Sequence, residues 1–241
     1  MNPYLSLIIP AYNEESRIEK SLDSACTYLT KKDYKFEIIV VDDGSSDQTA
    51  SVVKNYHNHV SLLVQPHNMG KGAAVRRGMI ESSGEIKIFT DADFSTPIHE
   101  IEKIIKGISD NYDICIGSRA LDPSLIKEHQ PFYREFMGKS FNKVVQLMLF
   151  KGIKDTQCGF KGFTNYAAGI IFPQARIDGF SFDVEILYLA RTAGLTIHQV
   201  PVEWYNDERS RVNPVSDSIK MLLELFRIKR LHRDTIFQQL I

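Results

Sequence analysis

Phe36-Glu37-Ile38-Ile39-Val40-Val41-Asp42-Asp43-Gly44-Ser45-Ser46 is the stretch that decides the fold. Phe36 to Val41 is rich in β-branched side chains and predicts a strand. The polar turn after it breaks the strand. Asp47 to Tyr56 then reads as a helix, with a Ser or Asp at hand as N-cap. The same alternation extends in both directions. Leu5 to Ile9 predicts a strand and Ser16 to Leu29 a helix. Val60 to Val64, Lys71 to Glu81, Ile86 to Thr90, Ile98 to Ile108 and Tyr112 to Gly117 continue it as strand, helix, strand, helix and strand. Such alternation means βαβ units in a mostly parallel sheet flanked by helices, an α/β fold. Ligands of such sheets bind outside the carboxyl ends of the strands, so the loops after Ile9, Val41 and Thr90 are expected on one edge.

The second half is less regular. Phe136 to Phe150 is amphipathic, Lys154 to Phe163 reads as a loop entering a strand, and Phe182 to Thr192 as a helix. Thr196 to Val202 predicts a strand. Val215 to Leu231 predicts a long helix ending near the basic cluster Arg227, Lys229, Arg230 and Arg233. The whole chain, 1–241, is expected to be one domain with two halves, 1–118 and 119–241.

Composition excludes several classes. With 43% hydrophobic and 24% charged residues the chain is neither disordered nor collagen-like. No run of about 18 apolar residues predicts a membrane span. Met1 to Pro10 has no basic leader region, so a secretory signal is not expected. Three cysteines without CxxC spacing fit a reducing compartment and argue against a zinc site. Cys158 reads as a packing residue, Arg76 and Arg77 as a solvated helix face. The net charge of −1 argues against a nucleic-acid binder. Its distribution is uneven: residues 1–118 carry −5 and residues 119–241 carry +4. That division suits cation binding in one half and an anionic partner in the other.

Three motifs could carry chemistry. Asp91-Ala92-Asp93 follows a strand, and two carboxylates so placed can reach one divalent metal, which can clamp a diphosphate. A bare DxD is also a common solvated turn. Asp42 is read as a ligand for a nucleobase or ribose, with the residues after it serving as a helix cap. Asn68-Met69-Gly70-Lys71-Gly72 opens a helix, where backbone amides and Lys71 suit an anion.

Together, Ile8-Ile9-Pro10-Ala11-Tyr12-Asn13-Glu14, Val40-Val41-Asp42-Asp43-Gly44-Ser45, Asn68-Met69-Gly70-Lys71-Gly72 and Asp91-Ala92-Asp93 resemble the ordered motifs of glycosyltransferase family 2. Gly117-Ser118-Arg119, Asp155-Thr156-Gln157-Cys158-Gly159-Phe160-Lys161, Phe182-Asp183-Val184-Glu185-Ile186-Leu187 and Pro201-Val202-Glu203-Trp204 are similar to its polyprenyl-phosphate branch. The 155–161 run and Asp217-Ser218-Ile219-Lys220-Met221 most resemble the dolichyl-phosphate β-glucosyltransferases. The resemblance implies the GT-A nucleotide-sugar-binding fold and transfer of a hexose, glucose from UDP-glucose, to a polyprenyl phosphate. It implies Pro10, Tyr12, Glu14 and Asp42 around the nucleoside and Lys71 on the nucleotide side. Ala11, Ala92, Gln157 and Asp183 complete the implied substrate-binding set. Asp91 and Asp93 would work with Mg²⁺ or Mn²⁺, and Arg119 and Arg134 would meet the acceptor phosphate. Ser210-Arg211 falls where the family has a Ser-Lys loop over the donor, with Arg209 in place of a glycine. A cytoplasmic enzyme touching a membrane face peripherally is the expectation. The alternatives are transfer to a sugar hydroxyl with Asp183 or Glu185 as base, a GDP-mannose donor, or a non-catalytic nucleotide-sugar binder.

Overall fold

A computed structural model of the chain describes residues 2–207, 209, 216–235 and 237. The elements run β1 (Leu5–Ala11), α1 (Ile18–Leu29), β2 (Phe36–Asp42), α2 (Thr49–Lys54), β3 (Val60–Val64), α3 (Lys71–Glu81) and β4 (Ile86–Phe89). A 3-10 turn then leads into α4 (Ile101–Ser109), followed by β5 (Ile114–Ser118) and α5 (Phe132–Met148). β6 (Lys161–Thr164), α6 (Asn165–Ile171), α7 (Phe182–Thr192), β7 (Ile197–Pro201) and α8 (Ser216–Leu231) complete the described chain.

Seven strands form one sheet in the order β3-β2-β1-β4-β6-β5-β7. All pairs are parallel except those of β6, which runs antiparallel between β4 and β5. Every residue of β1 is buried, as a strand covered on both faces requires. Its side chains alternate between two cores. Ile8 packs on one side with Phe89, Phe163 and residues of α3, α6 and α7. Leu5, Leu7 and Ile9 pack on the other with α1 and α4. In α4 the spacing of Ile101, Ile104, Ile105 and Ile108 puts all four in that second core. α3 lies close on β1 because Gly78 has no side chain. A Cβ there would fall 2.5 Å from Cγ2 of Ile8.

The strand and helix expectations hold with two differences of substance. α6 was not expected: it is one of the shorter helices and follows β6 directly. Thr164 starts it, its Oγ1 accepting from the Ala167 amide at 3.0 Å. α5 begins earlier than the amphipathic pattern suggests and buries only Val145 fully. Phe132, Tyr133, Phe136 and Leu147 on it are exposed. The two buried thiols behave as packing groups: burial pushes Cys115 up to about 12 and Cys158 up to about 11. Arg76 is not merely solvated. It joins α3 to the segment between α6 and α7 through Asp178 at 2.6 Å and the Ala175 carbonyl at 3.3 Å.

Glu185, a base candidate under the sugar-hydroxyl alternative, is a structural residue. It is fully buried in α7, where Oε1 and Oε2 accept from the Arg176 and Ile177 amides at 2.9 and 2.8 Å. Nε2 of His232, just past α8, lies 2.7 Å from Oε1. Glu185→Ala would strand two amides and the imidazole together. It is expected to lower unfolding free energy by about 3–5 kcal/mol, measured by urea unfolding.

Candidate active site

Two clefts open at the carboxyl edge of the sheet and meet at one strand end. The first, about 530 Å³, is lined by Pro10, Ala11, Tyr12 and Glu14 from the β1 loop, by Lys71 at the start of α3, and by Asp91, Ala92 and Asp93 after β4. The second, about 260 Å³, is lined by Arg119, Arg134, Gln157, Asp183 and Trp204. Lys71, Asp91 and Asp93 line both. Ser210 and Arg211 lie outside the described residues.

Asp42 departs from its expected place. Its residue is 2% exposed, does not line either cleft, and its Oδ1 accepts from the Ser45 hydroxyl and amide. Asp43 faces the first cleft instead, and it is not a helix cap. Its Oδ1 accepts from the Gln65 side-chain amide at 2.7 Å and the Met69 amide at 2.8 Å, while Oδ2 accepts from the Gly70 amide at 2.8 Å. Burial raises its pKa, and these three hydrogen bonds work the other way. Asp43 thus pins the loop that delivers Gly70 and Lys71. The cap near α2 comes from Asp47, whose Oδ1 accepts from the Thr49 amide at 2.9 Å. Which aspartate of the pair turns inward depends on the twist at the strand end, which no spacing rule reveals.

Around Asp91 and Asp93 the site is built of opposed charges. The Lys71 ammonium lies 2.5 Å from Asp91 Oδ1, an ionic contact without the angles of a hydrogen bond. Burial works against the Lys71 charge, yet Asp91, Asp183 and Asp93 together hold its pKa above the ordinary value. Asp93 is raised by burial and then by the like charge of Asp91. Its Oδ1 accepts from the Ser95 amide at 2.9 Å. Arg17 forks Glu14 and reaches Asp93 Oδ2 at 3.6 Å and Asp207 Oδ2 at 3.2 Å. Arg17 and Asp207 were missed in the sequence, where a lone basic residue before a helix carries no signal. Two carboxylates at a strand end between two clefts, with the Asp91 charge raising the cost of ionising Asp93, offer the oxygen ligands that suit a hard divalent cation.

The second cleft holds two unlike arginines. Asp155 forks Arg119, with Nε at 2.7 Å from Oδ2 and Nη2 at 2.9 Å from Oδ1, and accepts from the Arg119 amide at 3.0 Å. The guanidinium carbon sits 5.4 Å from the Trp204 ring centre. Burial opposes the Asp155 charge, but Arg119 outweighs it and holds the carboxyl at about 2. The partner of Arg119 is thus a buried carboxylate, not an acidic residue of the surface. Arg134, in the first turn of α5, has a buried Nε with no hydrogen-bond partner among the described residues. Asp183 borders the cleft but is tied to Lys161, which is fully buried and also donates to the Cys158 carbonyl at 2.5 Å. The run from Asp155 to Lys161 was the signal for this clamp, though not for its partners.

The family model for glycosyl transferase family 2 matches residues 6–169. Among curated relatives, a dolichyl-phosphate beta-glucosyltransferase of Dictyostelium discoideum is 42% identical over 244 residues, covering 95% of this chain and 74% of its own. One from Trichomonas vaginalis is 39% identical over 249 residues, covering 97% and 75%. Among solved structures, mannosyl-3-phosphoglycerate synthase of Rubrobacter xylanophilus superposes with a TM-score of 0.72 at 17% identity, covering 99% of this chain and 77% of its own. Glucosyl-3-phosphoglycerate synthase of Mycobacterium tuberculosis, in complex with Mn²⁺, UDP and glucosyl-3-phosphoglycerate, superposes with a TM-score of 0.61 at 18% identity, covering 98% and 82%. With motifs, sheet order and family model in agreement, this chain is a glycosyltransferase of GT-A fold and belongs to glycosyltransferase family 2.

Proposed function

We propose that the protein is an inverting transferase that moves glucose from UDP-glucose to a polyprenyl phosphate of the dolichyl type. The observation that carries this is the meeting of two clefts at Asp91 and Asp93, the second containing an arginine whose buried Nε has no partner among the described residues. The names of the relatives support the same donor sugar and acceptor. On this reading residues 1–118 bind the donor, and 119–241 bind the acceptor.

The nucleoside occupies the first cleft beside Pro10, Tyr12 and Glu14, with its diphosphate towards Lys71. Asp91 and Asp93 hold Mg²⁺ or Mn²⁺, which when bound neutralises the diphosphate and eases its departure. Arg134 orients the acceptor phosphate, and Arg119 adds charge from a position fixed by Asp155. A phosphate oxygen attacks the anomeric carbon in line from the opposite side. A phosphate monoester has a second pKa of about 6, so this nucleophile is already ionised and needs no base. The two base candidates of the sugar-hydroxyl alternative are both engaged, Asp183 by Lys161 and Glu185 by two amides and His232.

The acceptor's lipid tail also needs a place. Phe132, Tyr133 and Phe136 lie exposed beside Arg134, and α5 packs on α8, where Leu222, Leu223 and Phe226 are exposed. Arg227, Lys229, Arg230 and Arg233 are exposed on the last turns of α8 and just past it. No described helix is long and apolar enough to cross a membrane. Peripheral contact with a cytoplasmic membrane face accounts for the apolar and basic groups together.

Asp93→Ala is expected to lose divalent-metal-dependent transfer by about a hundredfold or more; full transfer by this variant in chelator would contradict the metal assignment. Arg134→Ala should reduce use of polyprenyl phosphate by about tenfold or more while calorimetric UDP binding stays unchanged. Arg119→Ala should in addition destabilise the fold, because it leaves Asp155 buried and unpaired. Vesicles containing anionic lipid should float the full chain at low salt. Replacing Arg227, Lys229 and Arg230 by Gln should weaken flotation, and absence of binding by the wild type would remove the membrane contact.

A further inference from the structure

Gly159 stands in the loop that enters β6, with Cys158 and Phe160 buried on either side. Its φ is not in the left-handed region, so backbone conformation does not demand glycine. Space does. A Cβ built on Gly159 would lie 2.2 Å from Oδ2 of Asp91 and 2.5 Å from its Cγ and Oδ1. The Asp91 carboxylate therefore rests flat against the glycine, with the Lys71 ammonium 2.5 Å from Oδ1.

The loop has little freedom to retreat. Asp155 is forked onto Arg119, the Phe160 carbonyl accepts from the Gly117 amide at 2.8 Å, and the Cys158 carbonyl accepts from Lys161. Any side chain at position 159 must displace the carboxylate instead. The antiparallel direction of β6 explains the meeting: Lys161 pairs with Phe89 near the end of β4, so the residues before β6 arrive where Asp91 emerges.

We propose that Gly159 is a positioning residue for Asp91. Its missing side chain sets where the carboxylate stands, and with it the affinity of the site for a divalent cation. This rests on the reading of Asp91 as a metal ligand, and the experiment separates the two. Mn²⁺ binding to the full chain in the presence of UDP is followed by electron paramagnetic resonance, alongside thermal unfolding. Asp91→Ala tests the underlying reading and should abolish the bound-Mn²⁺ signal. Gly159→Ala should weaken Mn²⁺ about tenfold or more, the scale of one lost charge-assisted contact. UDP binding in chelator should be unchanged. Gly169→Ala, whose Cβ meets nothing within 4 Å, should match wild type.

Wild-type Mn²⁺ affinity in Gly159→Ala, with Asp91→Ala inactive in binding, overturns this proposal and leaves the metal reading intact. Retained Mn²⁺ binding in Asp91→Ala overturns both. If Gly159→Ala also lowers the melting temperature, adding it to Asp91→Ala should cost nothing further, because the space is then free. An equal loss in both backgrounds would place the clash elsewhere and overturn the proposal.

Discussion

The like charges of Asp91 and Asp93 at the end of β4 are the constraint on which the rest of the site depends. Two carboxylates one residue apart repel each other, and burial sharpens the repulsion. The fold answers with cations brought from distant parts of the chain. Lys71 comes from the start of α3 and Arg17 from the entry to α1. Each belongs to a further network. Asp43 fixes the loop before Lys71, and Glu14 and Asp207 hold Arg17. The site is consequently a balanced cluster of opposed charges between its two clefts, each carboxylate facing a cation from a distant part of the chain.

The antiparallel insertion of β6 gives the second cleft its floor. A purely parallel sheet would bring only strand ends to this edge. β6 instead begins there, and the seven residues from Asp155 to Lys161 touch three parts of the site. Asp155 holds Arg119, Gly159 receives Asp91, and Lys161 holds Asp183. One short segment therefore links Arg119 of the second cleft, the Asp91 carboxylate and a buried ion pair. The arrangement also explains why Arg119 and Arg134 are unequal. The first is a fixed charge against Trp204, whereas Nε of the second has no partner among the described residues.

Much of this was legible in the sequence. The alternation of β-branched runs with helical spacing predicts the sheet, because burial on both faces leaves few other patterns for such strands. The motif residues gather as expected because a parallel sheet puts successive strand ends on one edge. What could not be read depends on three-dimensional encounters. Asp42 and Asp43 are adjacent, and only the turn geometry decides that Asp43 faces the cleft while Asp42 holds Ser45. The Arg119–Asp155 fork joins residues 36 positions apart, and α6 is announced by little more than Thr164. The exposed face of α5 shares its apolar composition with a core helix, so amphipathicity alone did not distinguish the two.

On the proposed function, this edge joins a nucleotide sugar to a phosphate, not to a hydroxyl. The most direct test offers the enzyme UDP-glucose and Mn²⁺ with dolichyl phosphate in one reaction and dolichol in another. A glucosyl phosphodiester is expected from the first and no transfer in the second. Transfer to dolichol or to a sugar hydroxyl, with dolichyl phosphate inert, would contradict it.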